Sequence, residues 1–178
     1  MKLDPLRVFS LSALAGDLSI LLSGGMFLNP LRMSAASLGF VSHGVGAVAG
    51  SDKKISLLCF KINSSDFVLG ITILCGFIYF LSGSNIFGFE NAARYSEMIL
   101  GVTIMSAAAS IMSGRKNLGM ALFLVGPLSH LFQVCEVYWV QGRFDVFQLS
   151  AALCFLVSGI ASRFIHKNKS AIEPADLR

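Results

Sequence analysis

Residues 8–28 read VFSLSALAGDLSILLSGGMFL, twenty-one residues that carry one charge, Asp17. A helix needs about 20 mostly apolar residues to cross the hydrocarbon of a bilayer, at about 1.5 Å of rise each. Its backbone must satisfy its own hydrogen bonds there, which selects a helix. Lys2 and Arg7 precede the run as they would in a signal peptide. Asp17 interrupts the apolar stretch, however, and no A-x-A site follows, so the helix is expected to be retained.

Working outward, five more apolar runs follow, at about 33–50, 66–81, 97–113, 118–140 and 146–165. Asn29-Pro30, Gly114-Arg115-Lys116-Asn117 and Gln141-Gly142-Arg143-Phe144-Asp145 mark turns between them. Asp66 is expected to cap the third helix. The piece from Ile55 to Ile62 is too short to span and is expected at the interface, as is part of the loop from Ser82 to Ser96. The chain is 54% hydrophobic and 13% charged, against about 25% charged in soluble domains. No segment shows the alternation of a membrane β-barrel strand. The expected fold is an all-α integral membrane protein, a bundle of six transmembrane helices. Residues 1–165 form the transmembrane domain, with hairpins at about 8–50, 66–113 and 118–165, and 166–178 is a polar, flexible cytoplasmic tail.

The net charge of +4 does not point to nucleic acid, because the basic residues lie between apolar runs and read as topology signals. Lys2, Arg7, Lys53, Lys54, Lys61, Arg115, Lys116, Arg163, Lys167, Lys169 and Arg178 fall on one side. Arg32, Arg94 and Arg143 fall on the other. The positive-inside rule puts the first set, and both termini, in the cytoplasm, with a bacterial inner (plasma) membrane as the expected location. The Asn63-Ser64-Ser65 and Asn168-Lys169-Ser170 sequons then fall on the wrong side for glycosylation. Cys59, Cys75, Cys135 and Cys154 form no CxxC pair and read as inert thiols, with neither disulfide nor metal site expected.

The six helices also read as three parallel hairpin repeats. Each outer turn carries one arginine (Arg32, Arg94, Arg143), and the first helices align on Gly16-Asp17-Leu18, Gly76-Phe77-Ile78 and Gly126-Pro127-Leu128. Topology alone would also place Arg and Gly at such positions. Parallel repeats occur in transporters.

Ionisable groups at membrane depth are costly and face the protein interior or a water cavity. Asp17 and His43 both fall about 14–15 Å deep in one antiparallel hairpin, by helix rise. Small residues flank both, Ser10, Ala13 and Gly16 on one helix and Ala36, Gly39 and Gly46 on the other, so a hydrogen-bonded or ionic pair is expected. The fifth helix carries His130, Gln133 and Glu136 at three-residue spacing behind Pro127. Glu136 is expected near Arg94 or Arg143.

Three readings of these groups compete. They glue helices together, at about 1 kcal/mol or less per hydrogen bond. They line a path for a proton, ion or small solute. Or His43 and His130 ligate a b-type haem. Walker, HExxH and GxSxG motifs are absent, so no enzyme, no cofactor and no metal are expected. The functional expectation is a non-catalytic scaffold or accessory subunit. The alternative is a small transporter or permeation protein with Asp17, His43, His130, Gln133 and Glu136 as its polar site. Expected partners are the lipid bilayer and, through Gly46-x-x-x-Gly50, other membrane proteins or a second copy.

Overall fold

The computed structural model describes residues 4–23, 29–51, 53–57, 60–88, 94–165 and 173–174. Six helices carry the fold: α1 (Pro5–Ser23), α2 (Pro30–Ala49), α3 (Ser64–Ser84), α4 (Arg94–Met112), α5 (Lys116–Gln141) and α6 (Val146–Ser162). Four are long and apolar enough to cross a membrane: α1, α3, α4 and the segment Lys116–Trp139 of α5. Helix α2 has the length but is diluted by Arg32, His43 and its serines and glycines, and α6 has 17 residues. Six helices form where six were expected, and four of them have the length and apolar character of membrane spans.

The many serines in these apolar helices do not break them. Ser12, Ser19 and Thr72 donate to the carbonyls of Val8, Ala15 and Val68 one turn back, at 2.7–2.9 Å. A hydroxyl that bonds its own helix needs no water. Helix starts are equally local. Asn29 accepts from the N–H groups of Leu31 and Arg32, and Pro30 takes the first helical position. Helix α2 therefore begins three residues before the expected Met33. Helix α3 begins at Ser64 behind Asn63, and Asp66 lies in its first turn, where a carboxylate suits the helix dipole, rather than at its cap.

Each helix packs on the next in sequence, and α6 closes on α1, giving a ring. Neighbours are antiparallel: the site of a Cβ on Gly39 meets Asp17, and that on Gly46 meets Ser10 and Val68. Likewise Gly76 meets Gly101, and Gly83 meets Arg94. The Gly46 and Gly50 positions expected as a dimer motif are thus used inside the chain. Gly50, at φ +72°, ends α2 against Asp4. Asp4 accepts from the Leu6 N–H at 2.9 Å and from the Ser51 N–H and hydroxyl at 2.7 and 2.5 Å. Partial burial pushes the Asp4 carboxyl up, but those hydrogen bonds outweigh it and hold the group below its ordinary range.

Among the described residues, the departure from an all-helical chain is the piece expected only as interfacial. It is a β-hairpin of β1 (Lys54–Leu57) and β2 (Phe60–Asn63), with β3 (Glu173–Pro174) added to β2. Its register pairs Ile55 with Ile62 and Ser56 with Lys61, so apolar and polar residues take opposite faces. Cys59 and the tail apart from 173–174 lie outside the described residues, as does the end of the first apolar run.

Polarity is inverted relative to a soluble protein. Asp17, Arg32, His43, Glu97, His130 and Gln133 are buried, while Leu11, Val48, Leu128 and Trp139 stand exposed on the outside. Such a surface is soluble in lipid and costly in water. The chain is a membrane-embedded helical protein.

The hairpins do not use matching residues alike. Arg32 is buried, whereas Arg94 and Arg143 are exposed. A Cβ at Gly16 would meet the Phe155 ring, one at Gly76 the Gly101 backbone, and one at Gly126 would stand 3.5 Å from Leu100. The alignments that prompted the repeat reading fall on dissimilar contacts.

Candidate functional site: a cavity inside the ring

All six helices contribute to one central cavity of about 40 Å³. A single water needs roughly 10–15 Å³ on this measure, so the space takes a few water-sized groups. It is too small for a tetrapyrrole, although both His43 and His130 line it.

Asp17 from α1 and His43 from α2 meet at its wall. His43 Nδ1 lies 2.6 Å from Asp17 Oδ2, with both side chains at most 7% exposed. Neutral His43 donates from Nδ1 to the carboxylate, which leaves Nε2 as an acceptor. That Nε2 atom is buried without a hydrogen-bond partner. The hydroxyl of Tyr79, on α3, is buried and unpartnered as well, and Tyr79 lines the same cavity. Aromatic rings make up much of the remaining wall. Phe9 stands edge-on to His43 and to Phe123, at 5.7 and 5.6 Å between centroids. Phe155 stacks on His130 at 5.3 Å.

The approach that forms the dyad depends on Gly39. A Cβ there would stand 2.8 Å from both carboxylate oxygens of Asp17. Gly39→Ala is therefore expected to displace Asp17 and part the dyad, because the new methyl would press on both carboxylate oxygens and turn the group toward the cavity it lines. The check is the imidazole ¹⁵N NMR signal of His43 in detergent, which should lose its carboxylate-bonded shift. An unchanged signal would refute the packing argument.

Toward the end of the ring that holds Asn29 and Arg94 the cavity gives way to a hydrogen-bonded belt. Arg32 Nη1 pairs with Glu97 Oε1 at 3.0 Å, in a fully buried ion pair. Gln133 donates to Glu97 Oε1 and accepts from Arg32 Nη2, both at 3.4 Å, and accepts from His130 Nδ1 at 3.3 Å. Ser82 donates to Glu97 Oε2 at 2.5 Å and accepts from Asn29 at 2.7 Å. On the far side Gln148 donates to Ser23 at 2.5 Å. His130 both lines the cavity and bonds into the belt, so it joins the two. Toward the basic turns the packing is largely apolar, with Leu6, Phe9, Val68, Ala108, Ile111 and Phe123 in one cluster.

Of the sequence-selected residues, Asp17, His43 and His130 meet at the cavity and Gln133 sits in the belt beside them. Glu136 does not join. It accepts from Ser96 at 2.8 Å, and neither expected arginine pairs with it. Arg94 instead donates to the Gly83 and Ser84 carbonyls, and Arg143 is exposed. Sequence reasoning missed Arg32, Glu97 and Tyr79. Arg32 counted as a loop charge because it sits one turn from Pro30, and Glu97 passed as a helix start. Their opposite charges at the same end of the chain's apolar runs were the available signal. Among the described residues no group of three or more His, Cys, Asp or Glu side chains could hold a metal ion. The chain matches no family model, no curated protein and no solved structure.

Proposed function

We propose that the protein is a small membrane transport or permeation protein, and that the central cavity is the site its cargo occupies. The observation that carries this reading is the enclosed cavity itself. Six helices surround it, and a carboxylate–imidazole pair, an unpartnered imidazole nitrogen and an unpartnered phenol line it. Buried polar groups without partners cost about 1–3 kcal/mol each and persist where they serve a function. Asp17, His43, Tyr79 and His130 bring polar atoms to a largely apolar lining, and Phe9 and Phe123 line the cavity beside them. In this reading all six helices cross the bilayer, the basic end faces the cytoplasm, and both termini lie there. The closed form then opens toward the outer side through the belt.

Catalysis is not part of the proposal. The Cys75 thiol lines the cavity but donates to the Ala35 carbonyl at 3.3 Å, while His43 Nε2 engages no partner. A nucleophile and its base would be in hydrogen-bond reach.

Proteoliposomes with an entrapped pH dye test the reading. The wild type is expected to speed the decay of an imposed pH gradient. Asp17→Asn and His43→Ala are expected to return it to the rate of empty vesicles, while both variants still elute as folded protein. A second reading, a non-catalytic scaffold, is favoured by one observation. The belt residues bond one another across α2, α3, α4 and α5, as interhelical glue would. Folded Asp17→Asn protein with undiminished flux would support that reading instead.

A further inference from the structure

The cavity's donors and acceptors select among small cargoes. Among the described residues, the buried carboxylates are Asp17, Glu97 and Asp145, the last capping α6, and the fixed buried cation is Arg32, spent on Glu97 at 3.0 Å. Asp17 is therefore balanced only by a proton on the His43 side of its pair, or by another small cation. Acceptors for a bare metal ion are few. Hard cations take six or more oxygen ligands. Here the side-chain oxygens of the lining are the Asp17 carboxylate, the Tyr79 phenol and the Thr72 and Ser158 hydroxyls, which already donate to their own helices, and beside them stands a nitrogen, His43 Nε2. The rest of the wall includes the rings of Phe9, Phe123 and Phe155. Nitrogen acceptors suit N–H donors, and aromatic faces attract ammonium-type cations within about 6 Å of the ring centre. The volume of about 40 Å³ fits a group the size of ammonium or methylammonium.

We propose that the cavity between Asp17, His43 and Tyr79 binds an ammonium-type cation in exchange for a proton. The inference rests on the cavity being the transport site and names its cargo. The balance is one charge for one. With Asp17 ionised and His43 protonated, the pair is neutral. The entering cation donates N–H to His43 Nε2 and to the Tyr79 oxygen. The proton leaves from His43, and the site stays neutral. Tyr79 and Cys75 from α3, His130 from α5 and the neutralised Arg32–Glu97 pair are the other titratable or charged groups facing this region. The released proton leaves by the opening through which the cation enters.

Isothermal titration calorimetry on the full chain in detergent, repeated in two buffers of different ionisation enthalpy, reads cation binding and proton release together. Ammonium chloride and methylammonium chloride are expected to bind with release of a proton, and sodium and potassium chloride are not. Asp17→Asn should lose the binding. Tyr79→Phe removes one unpartnered hydroxyl, so it should fold at least as well as the wild type while losing most of the ammonium affinity. Equal binding of sodium or potassium, ammonium binding without proton release, or ammonium binding undiminished in folded Tyr79→Phe and Asp17→Asn overturns the inference. A chain that speeds the decay of a pH gradient but binds no ammonium overturns it too and leaves the transport reading standing. Absence of both defeats the two together.

Discussion

Replacing Arg32 with alanine is expected to destabilise the folded protein by about 3–5 kcal/mol, the cost of stranding one partner of a buried ion pair. Arg32 and Glu97 are both nearly inaccessible, at 3.0 Å from each other. The belt donors Ser82 and Gln133 remain on Glu97 in the variant, but they are neutral and do not cancel its charge. Glu97→Ala strands the guanidinium in the same way. The double variant Arg32→Met with Glu97→Leu should be much milder than the sum of the two alanine variants, because an apolar pair of similar volume leaves no charge buried. Thermal unfolding in detergent, followed by the fraction that elutes as monodisperse protein, measures all three. A single-residue cost under about 1 kcal/mol would mean that the pair acts like an ordinary interhelical hydrogen bond.

Gly101→Ala is the second large effect. A Cβ on Gly101 would stand 2.5 Å from the Gly76 carbonyl oxygen and 2.5 Å from the Phe80 nitrogen. Both are backbone atoms of α3, which cannot turn aside as a side chain can. The helices must part, at about 1–3 kcal/mol or more for an overpacked contact. Parting α3 from α4 also moves Tyr79 and Ser82 away from Leu100 and Glu97. Gly70→Ala is the matched control. Nothing lies within 4 Å of the Cβ position there. Alanine is the better helix former by about 1 kcal/mol. The same melting assay should show the first variant falling and the second holding or rising. A neutral Gly101→Ala would mean that the α3–α4 contact is looser than its geometry.

The fold was legible because lipid leaves so few options. Runs such as 8–28 and 118–140 admit little but helices, and the turn residues at Asn29-Pro30 and Gly114-Arg115 separate them. The β-hairpin at 54–63 escaped notice because ten residues of mixed character carry no membrane-length signal. Its alternation, Ile55 and Ile62 against Ser56 and Lys61, is visible once the register is known. The Asp17–His43 contact was legible from helix rise and small residues, since two antiparallel helices joined by a short turn must match in depth. The Arg32–Glu97 pair was not. Sixty-five positions separate the two, and nothing local to either says that α2 and α4 face each other across α3.

The sequence by itself determined a membrane-embedded helical chain, the helix count and which residues stand at like depth. Local hydrogen bonding and hydrophobic length fix those, one segment at a time. The tertiary structure alone decided that α6 closes on α1. That closure turns six amphiphilic faces inward together. It gathers Tyr79, His130 and Phe155 around the dyad and makes a cavity of side chains that no single hairpin contains.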